Sequence, residues 1–334
     1  MDLFTHVAVP LLLGRSLKRS GEEVAALAVG GLAPDLDILL LPINWIYPNF
    51  FLLVHRGITH SLLFGFLAAL LTLRLATAGP VQSRISQHFG IDPQFTKIAI
   101  LFAYSGVLLH LALDSLTTRG IPLLYPLDTA RWSAEIFFYS ETTLLLASLG
   151  ILIFEVKTKE RADHRKMLIL LLLLLAVTGT VRLAEKDKAV GIIGGDSTAF
   201  PAPSLFEWTV LNDNNRSVCI YSYDAISGQY LFKGDFLKLD ILSQYEDFSD
   251  EGLNAYLDDA ESLPQVRTFR WRAYYVVVSA AFRDGGWDLE FRDPVMTVRT
   301  EELPATLKGF FSGLVFLDVR AEGGMTEVSD HFFI

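Results

Sequence analysis

Within Val54-His55-Arg56-Gly57-Ile58-Thr59-His60-Ser61, two imidazoles, a guanidinium and two hydroxyls stand at the mouth of an apolar segment that begins at Leu62. Polar groups in such a place are costly unless a partner, an ion or a water-filled cavity offsets their desolvation. Three other sets could join them. His110 and Asp114 stand four apart in a helical stretch, so they share a helix face and could ligate one ion or tie to each other. Asp35 and Asp37 follow Pro34; in a strand or turn they would face alike, and could bind one ion, bridge two, or act as ligand plus general base, unless they are solvated acids at a helix stop. His6 with Asp2 repeats the four-residue spacing. Nitrogen and oxygen donors without thiolate favour a divalent ion, zinc first, then manganese. The single cysteine, Cys219, excludes a thiolate cluster and an intrachain disulfide, and reads as a small buried strand residue. Thr59 is placed to cap the helix that follows, with Gly57 freeing the turn before it. With Arg56 beside it, that helix start would seat a phosphate or carboxylate. The hydroxyls of Thr5, Ser61 and Thr117 could support the ligands, and Glu141 could line the cavity. His88, His164 and His331 read as solvated.

The elements that must position these groups are apolar helices. The chain has 334 residues, 51% hydrophobic and 20% charged, with a mean hydropathy of +0.37, which points to a membrane protein carrying some soluble mass. A formal net charge of −10 and no basic domain exclude nucleic acid as a partner. An acid at position 2 and no small-residue cleavage site predict that no leader is removed, so His6 stays in the mature chain. Leu3–Leu13 and Val24–Ala33 are each too short to cross the ~30 Å hydrocarbon core and read as a pair of short helices. The aromatic, proline-rich stretch with Pro42, Trp45, Tyr47, Pro48, Phe50 and Phe51 reads as an interfacial belt. Leu62–Ala78, Phe95–Leu116, Ile136–Val156 and Met167–Val181 read as three or four full spans. If the loops with Arg15, Lys18 and Arg19, with Arg84 and Lys97, and with Lys157 to Lys166 are cytoplasmic, the histidines and aspartates gather at the outer end, and everything after Arg182 lies outside.

Beyond Arg182 the pattern changes to short alternating or β-branched runs. Ser217–Tyr223, Gln229–Phe232, Thr268–Val278 and Gly313–Val319 read as strands, Asp284–Trp287 as a hairpin turn, and Phe236–Leu263 as one or two amphipathic helices. The expected architecture is thus an α-helical membrane domain (residues 1–184) followed by a mainly-β extracytoplasmic domain (residues 185–334).

The ordered set Asp2-x-x-Thr5-His6, Pro34-Asp35-x-Asp37, His55-Arg56-Gly57-x-Thr59-His60-Ser61 and His110-x-x-x-Asp114-x-x-Thr117-x-x-Gly120, followed by Ile121-Pro122-Leu123-Leu124-Tyr125-Pro126, resembles the YdjM-like family of membrane-bound, metal-dependent hydrolases. Phe200-Pro201-Ala202-Pro203 and Glu207-Trp208 are similar to the start of a β-rich domain that some members carry. More remotely, the order of histidines and aspartates is similar to zinc-dependent phospholipase C and the P1-type nucleases. That similarity implies a helical phosphoesterase core with His6, Asp35, His55 or His60, His110 and Asp114 as metal ligands. No histidine lies between His110 and His164, which points to one or two ions rather than three.

The expected reaction is hydrolysis of a phosphoester in a membrane lipid or lipid-linked substrate at the outer surface. Asp35 or Asp37 would take the proton, and Arg56 with the helix start at Thr59 would hold the anion. The rival is a non-catalytic protein in which the ion braces the helices and the outer domain binds a partner that the sequence does not name. A transporter would need a continuous polar path, for which Tyr104, Ser105 and Glu141 are too few.

Overall fold

The structure is a computed structural model that describes every residue except 41–42, 44–53, 159–162, 243–249, 302, 304–313, 323–324 and 331–334. The expected interfacial belt, His331 and Gly313 lie outside the described residues; the strand expected over Gly313–Val319 begins at Phe316, after Leu314 and Val315. The chain forms two compact units, Met1–Leu41 with Leu52–Asp187 and Pro201–Phe206, and Pro42–Phe51 with Lys188–Phe200 and Glu207–Ile334.

The first unit is helical. Helix α1 (Leu3–Ser16) starts where the Asp2 carboxylate accepts the Thr5 N–H. Helix α2 (Gly21–Leu32) starts at a reciprocal box between Ser20 and Glu23. A short 3-10 helix, Ala33–Leu40, continues from it, and a second, Ile58–His60, precedes α3 (Leu62–Ala76). Helix α3 does not run on to Ala78 as one span. It bends by 87° into α4 (Gly79–Phe89), whose first turn holds Pro80, a residue suited to a helix start because that N–H has no partner to lose. Helix α5 (Lys97–Asp114) is capped by Thr96. Helix α6 begins at Thr142 rather than Ile136 and ends at Thr158. Residues 136–137 instead pair with the segment after α5, Ile136 N–H donating to Leu116 O at 3.0 Å and Thr118 N–H to Phe137 O at 2.7 Å. Helix α7 (His164–Ile193) runs well past Val181 through the charged residues 182–188.

Among the described residues two helices, α5 and α7, are long and apolar enough to cross a membrane, or three if the bent α3–α4 pair is one span, in place of the three or four expected. Helix α2 packs backbone to backbone against its neighbours. A Cβ on Gly31 would lie 2.2 Å from His6 O, and one on Gly106 2.2 Å from Leu27 O. Only glycine permits that approach, and it draws α1 and α5 onto the end of α2.

The second unit is sheet-rich. Strands β1 (Asp196–Pro201), β2 (Glu207–Asp213), β3 (Ser217–Asp224) and β4 (Gln229–Leu237) form one sheet in that order. The other sheet runs β5 (Leu239–Ile241), β6 (Val277–Arg283), β7 (Gly286–Arg292), β8 (Phe316–Glu322), β9 (Met325–Asp330), with β5 parallel to β6 and the later neighbours antiparallel. Helices α8 (Asp250–Ser262) and α9 (Pro264–Arg272) bring Leu253, Ala260, Val266 and Phe269 into one core with Val278, Leu289, Phe291 and Leu317. Thr268–Arg272 is therefore helical, not the start of a strand. Pro264 opens the helix, and Val266 and Phe269, three apart, share its buried face, a spacing that overrides the β-branched and aromatic composition. Helix α10 (Pro294–Glu301) follows β7. Cys219 lies on β3 but is only half-buried.

Candidate metal centre

The ends of α2 and α5, the start of α1 and the turn before α3 bring four sets of residues to one place. His110 sits on the last turn but one of α5, where its Nδ1 is 2.7 Å from Gly31 O, the carbonyl that the glycine packing holds in reach. A carbonyl only accepts, so Nδ1 carries the hydrogen and Nε2 presents a lone pair. His60 Nδ1 lies 3.2 Å from Asp37 Oδ2 and 3.0 Å from Thr59 Oγ1, so its hydrogen is also spent there. With both imidazoles neutral, the two bare Nε2 atoms face each other at 3.2 Å.

Around them stand two carboxylate oxygens. Asp35 Oδ1 is 3.5 Å from each Nε2 and Asp114 Oδ2 is 3.4 Å from each, and Asp114 Oδ2 has no hydrogen-bond partner. His6 stacks on His110 with ring centroids 3.6 Å apart and places its Nε2 3.2 Å from Asp114 Oδ1, while its Nδ1 has no partner. His6, His60, His110 and Asp114 have 0% exposure. Acceptors turned on acceptors in a buried space demand a cation, and imidazoles whose second nitrogen donates to a carbonyl or carboxylate are oriented as metal ligands are. By geometry His6, Asp35, His110 and Asp114 form one group able to hold an ion, and Asp35, His55 and His60 a second that shares Asp35. The residues therefore fit a divalent metal of the nitrogen- and oxygen-loving kind.

The electrostatics agree. Burial would push the Asp35 and Asp37 carboxyls up, but the imidazoles outweigh it and hold both well below the usual range: His110 and His60 for Asp35, His55 and His60 for Asp37. Burial would pull His60 down; the carboxylates of Asp114, Asp35 and Asp37 around it outweigh that and push it up to about 10. A proton on His60 and a divalent ion answer the same demand of the surrounding carboxylates.

Other residues take roles different from those expected of them. Asp35 and Asp37 do not face alike, because the 3-10 helix that holds them has three residues per turn. Asp35 turns to the Nε2 pair, and Asp37 to His55 Nδ1 (2.9 Å), Thr59 Oγ1 (2.9 Å) and the Arg56 N–H (3.1 Å). With its hydroxyl spent there, Thr59 caps no helix; Ser61 does, accepting Phe64 N–H, and α3 begins at Leu62. The left-handed residue of the turn is Arg56, φ 64°, not Gly57. Arg56 is 2% exposed, with Nη2 3.2 Å from Asp114 Oδ1, Nη1 on Thr117 Oγ1, and its guanidinium over the Tyr139 ring at 5.0 Å. It answers the charge of Asp114, as does the amino group of Met1. Asp2 caps α1 and holds the Thr5 hydroxyl, which also meets Ser148. Glu141 is buried opposite Arg182, 4.0 Å away. His88 is exposed, but His164 is not solvated: at 14% side-chain exposure it lies 3.3 Å from the buried Glu155. Tyr139, Ser148 and the Gly31 carbonyl have no motif that marks them in the sequence, although the paired glycines at 30 and 31 mark a close approach.

Residues 1–188 match the family model described as YdjM inner membrane protein. Among curated proteins, the chain is 33% identical over 145 residues to "Inner membrane protein YbcI" of Escherichia coli (strain K12), covering 41% of this chain and 70% of that protein. No solved structure matches.

Proposed function

The chain belongs to the YdjM family of inner membrane proteins, and on that premise we propose that its histidine–aspartate core is the centre of a metal-dependent hydrolase. One observation carries the reading: Asp35 Oδ1 and Asp114 Oδ2 each lie 3.4–3.5 Å from both His60 Nε2 and His110 Nε2, themselves 3.2 Å apart, in a buried space that calls for a cation. Those four with His6 would hold one or two divalent ions, zinc first. A bound ion of this kind supplies Lewis-acid chemistry and lowers the pKa of water. The chain's own residues do the rest. His55, whose side chain is 43% exposed, and the half-buried Thr59 mark the edge where a substrate would enter, and Asp35 and Asp37 lie behind them as candidate proton acceptors. Arg56 sets the charge and position of Asp114 rather than offering a free guanidinium to an anion.

The substrate class is a phosphoester in a lipid or lipid-linked molecule, because a polar site at the ends of apolar helices in an inner membrane protein meets headgroups first. The site belongs on the outer face by the positive-inside rule. Helix α1 runs from His6 to Arg15, and α5 from Lys97 to Asp114, so basic residues and site residues occupy opposite ends of the same helices. A second reading, an ion that only braces the helices, is favoured by the complete burial of His6, His60, His110 and Asp114. Turnover of a panel of phospholipids and polyprenyl phosphates by purified protein, stripped of metal and then given zinc or manganese, separates the two. A hydrolase releases phosphate or a phosphorylated headgroup only when metal is restored. A brace regains thermal stability with metal and turns over nothing.

A further inference from the structure

We propose that the closed loop Ile121–Trp132 is a membrane-surface anchor, seated among lipid headgroups at the metal-centre end of the helices with Leu127 as its deepest residue. The loop and the helices that place it all belong to the helical unit. The neck of the loop is shut. Ile121 and Trp132 exchange both backbone bonds, at 3.1 Å and 2.8 Å, and the Arg131 guanidinium donates to Arg119 O and Gly120 O. A Cβ on Gly120 would lie 1.9 Å from Trp132 O, so glycine alone, here at φ 50°, lets the two sides of the neck meet. Ends held this close make a compact loop with a fixed shape. At its tip, Leu127 N–H donates to Leu124 O at 2.9 Å, and the Asp128 carboxylate accepts Ala130 N–H at 2.8 Å.

Helices α3 and α5 set its level. Leu62, the first residue of α3, donates its N–H to Leu123 O at 3.0 Å and accepts the Tyr104 hydroxyl at 3.3 Å. Tyr104 lies ten residues before Asp114 on α5, about 15 Å at 1.5 Å each, further than a tyrosine side chain and one hydrogen bond can reach. Leu62 therefore stands beside the body of α5, inside the level of its last residue, and the loop is tied to Leu62 there. Tyr125 packs on Phe64 in the first turn of α3, ring centroids 5.6 Å apart, so the chain runs along that helix instead of away from it. Thr59, at the edge of the metal centre, precedes Leu62 by only three residues.

Lipid is the partner that fits. Leu63, Leu67, Leu71 and Leu75 recur every four residues on α3 and are all exposed, a stripe about 18 Å long. In an inner membrane protein such a stripe faces acyl chains. Leu63 and Leu124 each follow a member of the bonded pair Leu62–Leu123, so the loop carries the stripe on past the start of the helix. Leu124 and Trp132 are exposed, and Leu127 is 91% exposed, the highest value among the described large apolar side chains. One bare leucine on a loop is ordinary; a run that continues a lipid-facing stripe is not. Tryptophan is a residue of the bilayer–water interface, and the Asp128 carboxylate beside Leu127 limits the depth to the headgroups. The seat would bring headgroups level with the open edge of the centre, but it stands whether or not the centre hydrolyses them.

The test places one environment-sensitive fluorophore at a time on the full chain in phosphatidylcholine–phosphatidylglycerol vesicles, with iodide on both faces. The background is Cys219→Ser, and the labels go on Leu127→Cys or, in the middle of the stripe, Leu71→Cys, exposed positions whose exchange leaves the core intact. The expected result is a depth order. Lipids spin-labelled near the headgroup quench 127 more strongly than lipids spin-labelled at mid-chain, the preference inverts at 71, and iodide quenches 127 well below the free dye. Iodide access at 127 equal to that of the free dye overturns the proposal. So does a label at 71 that no lipid quencher reaches, or a label at 127 shielded from both iodide and lipid, as the sheet-rich unit or a second copy of the chain over the loop would produce. Neither metal nor turnover enters these measurements, so failure here leaves the hydrolase reading to its own experiment.

Discussion

Helix α1 carries one member of each of two buried histidine–carboxylate clusters, and the two are built to opposite ends. His6 joins the centre with Asp35, His60, His110 and Asp114; nine residues on, Arg15 donates to Glu155, which His164 also approaches at 3.3 Å. Glu155 is as buried as Asp114, both at 0%. At the Glu155 end a single carboxylate meets a guanidinium through Oε2, while its Oε1 faces one imidazole, His164, and like Asp114 Oδ2 has no hydrogen-bond partner. At the Asp114 end Arg56 and the Met1 amino group settle Oδ1, while Oδ2 turns with Asp35 Oδ1 onto two imidazole lone pairs. Burial and residue type do not tell a metal centre from a structural ion pair. The number of groups turned on one point does: two carboxylate oxygens and two imidazole nitrogens at the Asp114 end, one of each at the Glu155 end.

The largest contrast is in metal content. Asp114→Ala should reduce bound metal in the purified protein to background, while Glu155→Gln keeps it at the wild-type level; elemental analysis of both variants decides. Loss of metal in both would erase the distinction between the clusters. Stability should sharpen it. Glu155→Gln removes the carboxylate charge that faces Arg15 and should cost about 3 kcal/mol in unfolding experiments on the metal-loaded protein in detergent. Gly31→Ala should cost about 1–3 kcal/mol because its Cβ would meet His6 O at 2.2 Å. It should also weaken metal binding by moving the carbonyl that orients His110, which equilibrium dialysis would show. The smallest effect is at His55. Its side chain is 43% exposed and holds Asp37, so His55→Ala should lower metal affinity about 10-fold and leave stability within about 0.5 kcal/mol. A loss of all metal in His55→Ala would move the centre toward the group formed by Asp35, His55 and His60.

The residue types of the centre are legible in the sequence because each set breaks an apolar context: His6, Asp35 with Asp37, His55 with His60, and His110 with Asp114. The division of labour within each set is not. Asp35 and Asp37 part company through the 3-10 geometry of Ala33–Leu40, which composition does not announce. Arg56 looks like an anion seat until Asp114 and Thr117 are brought against it from α5 and the loop beyond. Thr59 loses its expected helix cap to hydrogen bonds with Asp37 and His60 that use the same oxygen. Glu155 and His164 stay hidden because their partner, Arg15, is 140 residues away from the first of them. In the fold, apolar length marks α5 and α7, whereas the bend between α3 and α4 and the helix at Pro264–Arg272 depend on a proline and a buried face that tertiary packing reveals.

The claim that the His6–Asp35–His60–His110–Asp114 cluster is a divalent-cation centre is tested most directly by stripping the purified wild-type protein with chelator, titrating it with zinc and recording the X-ray absorption of the loaded form. A metal centre predicts saturable uptake of one or two ions per chain, imidazole nitrogen and carboxylate oxygen at about 2.0–2.2 Å, no sulfur in the first coordination sphere, and release as acid protonates the histidines. Wild-type protein that remains folded, takes up no zinc, manganese or other divalent ion, and behaves identically with and without chelator would contradict it.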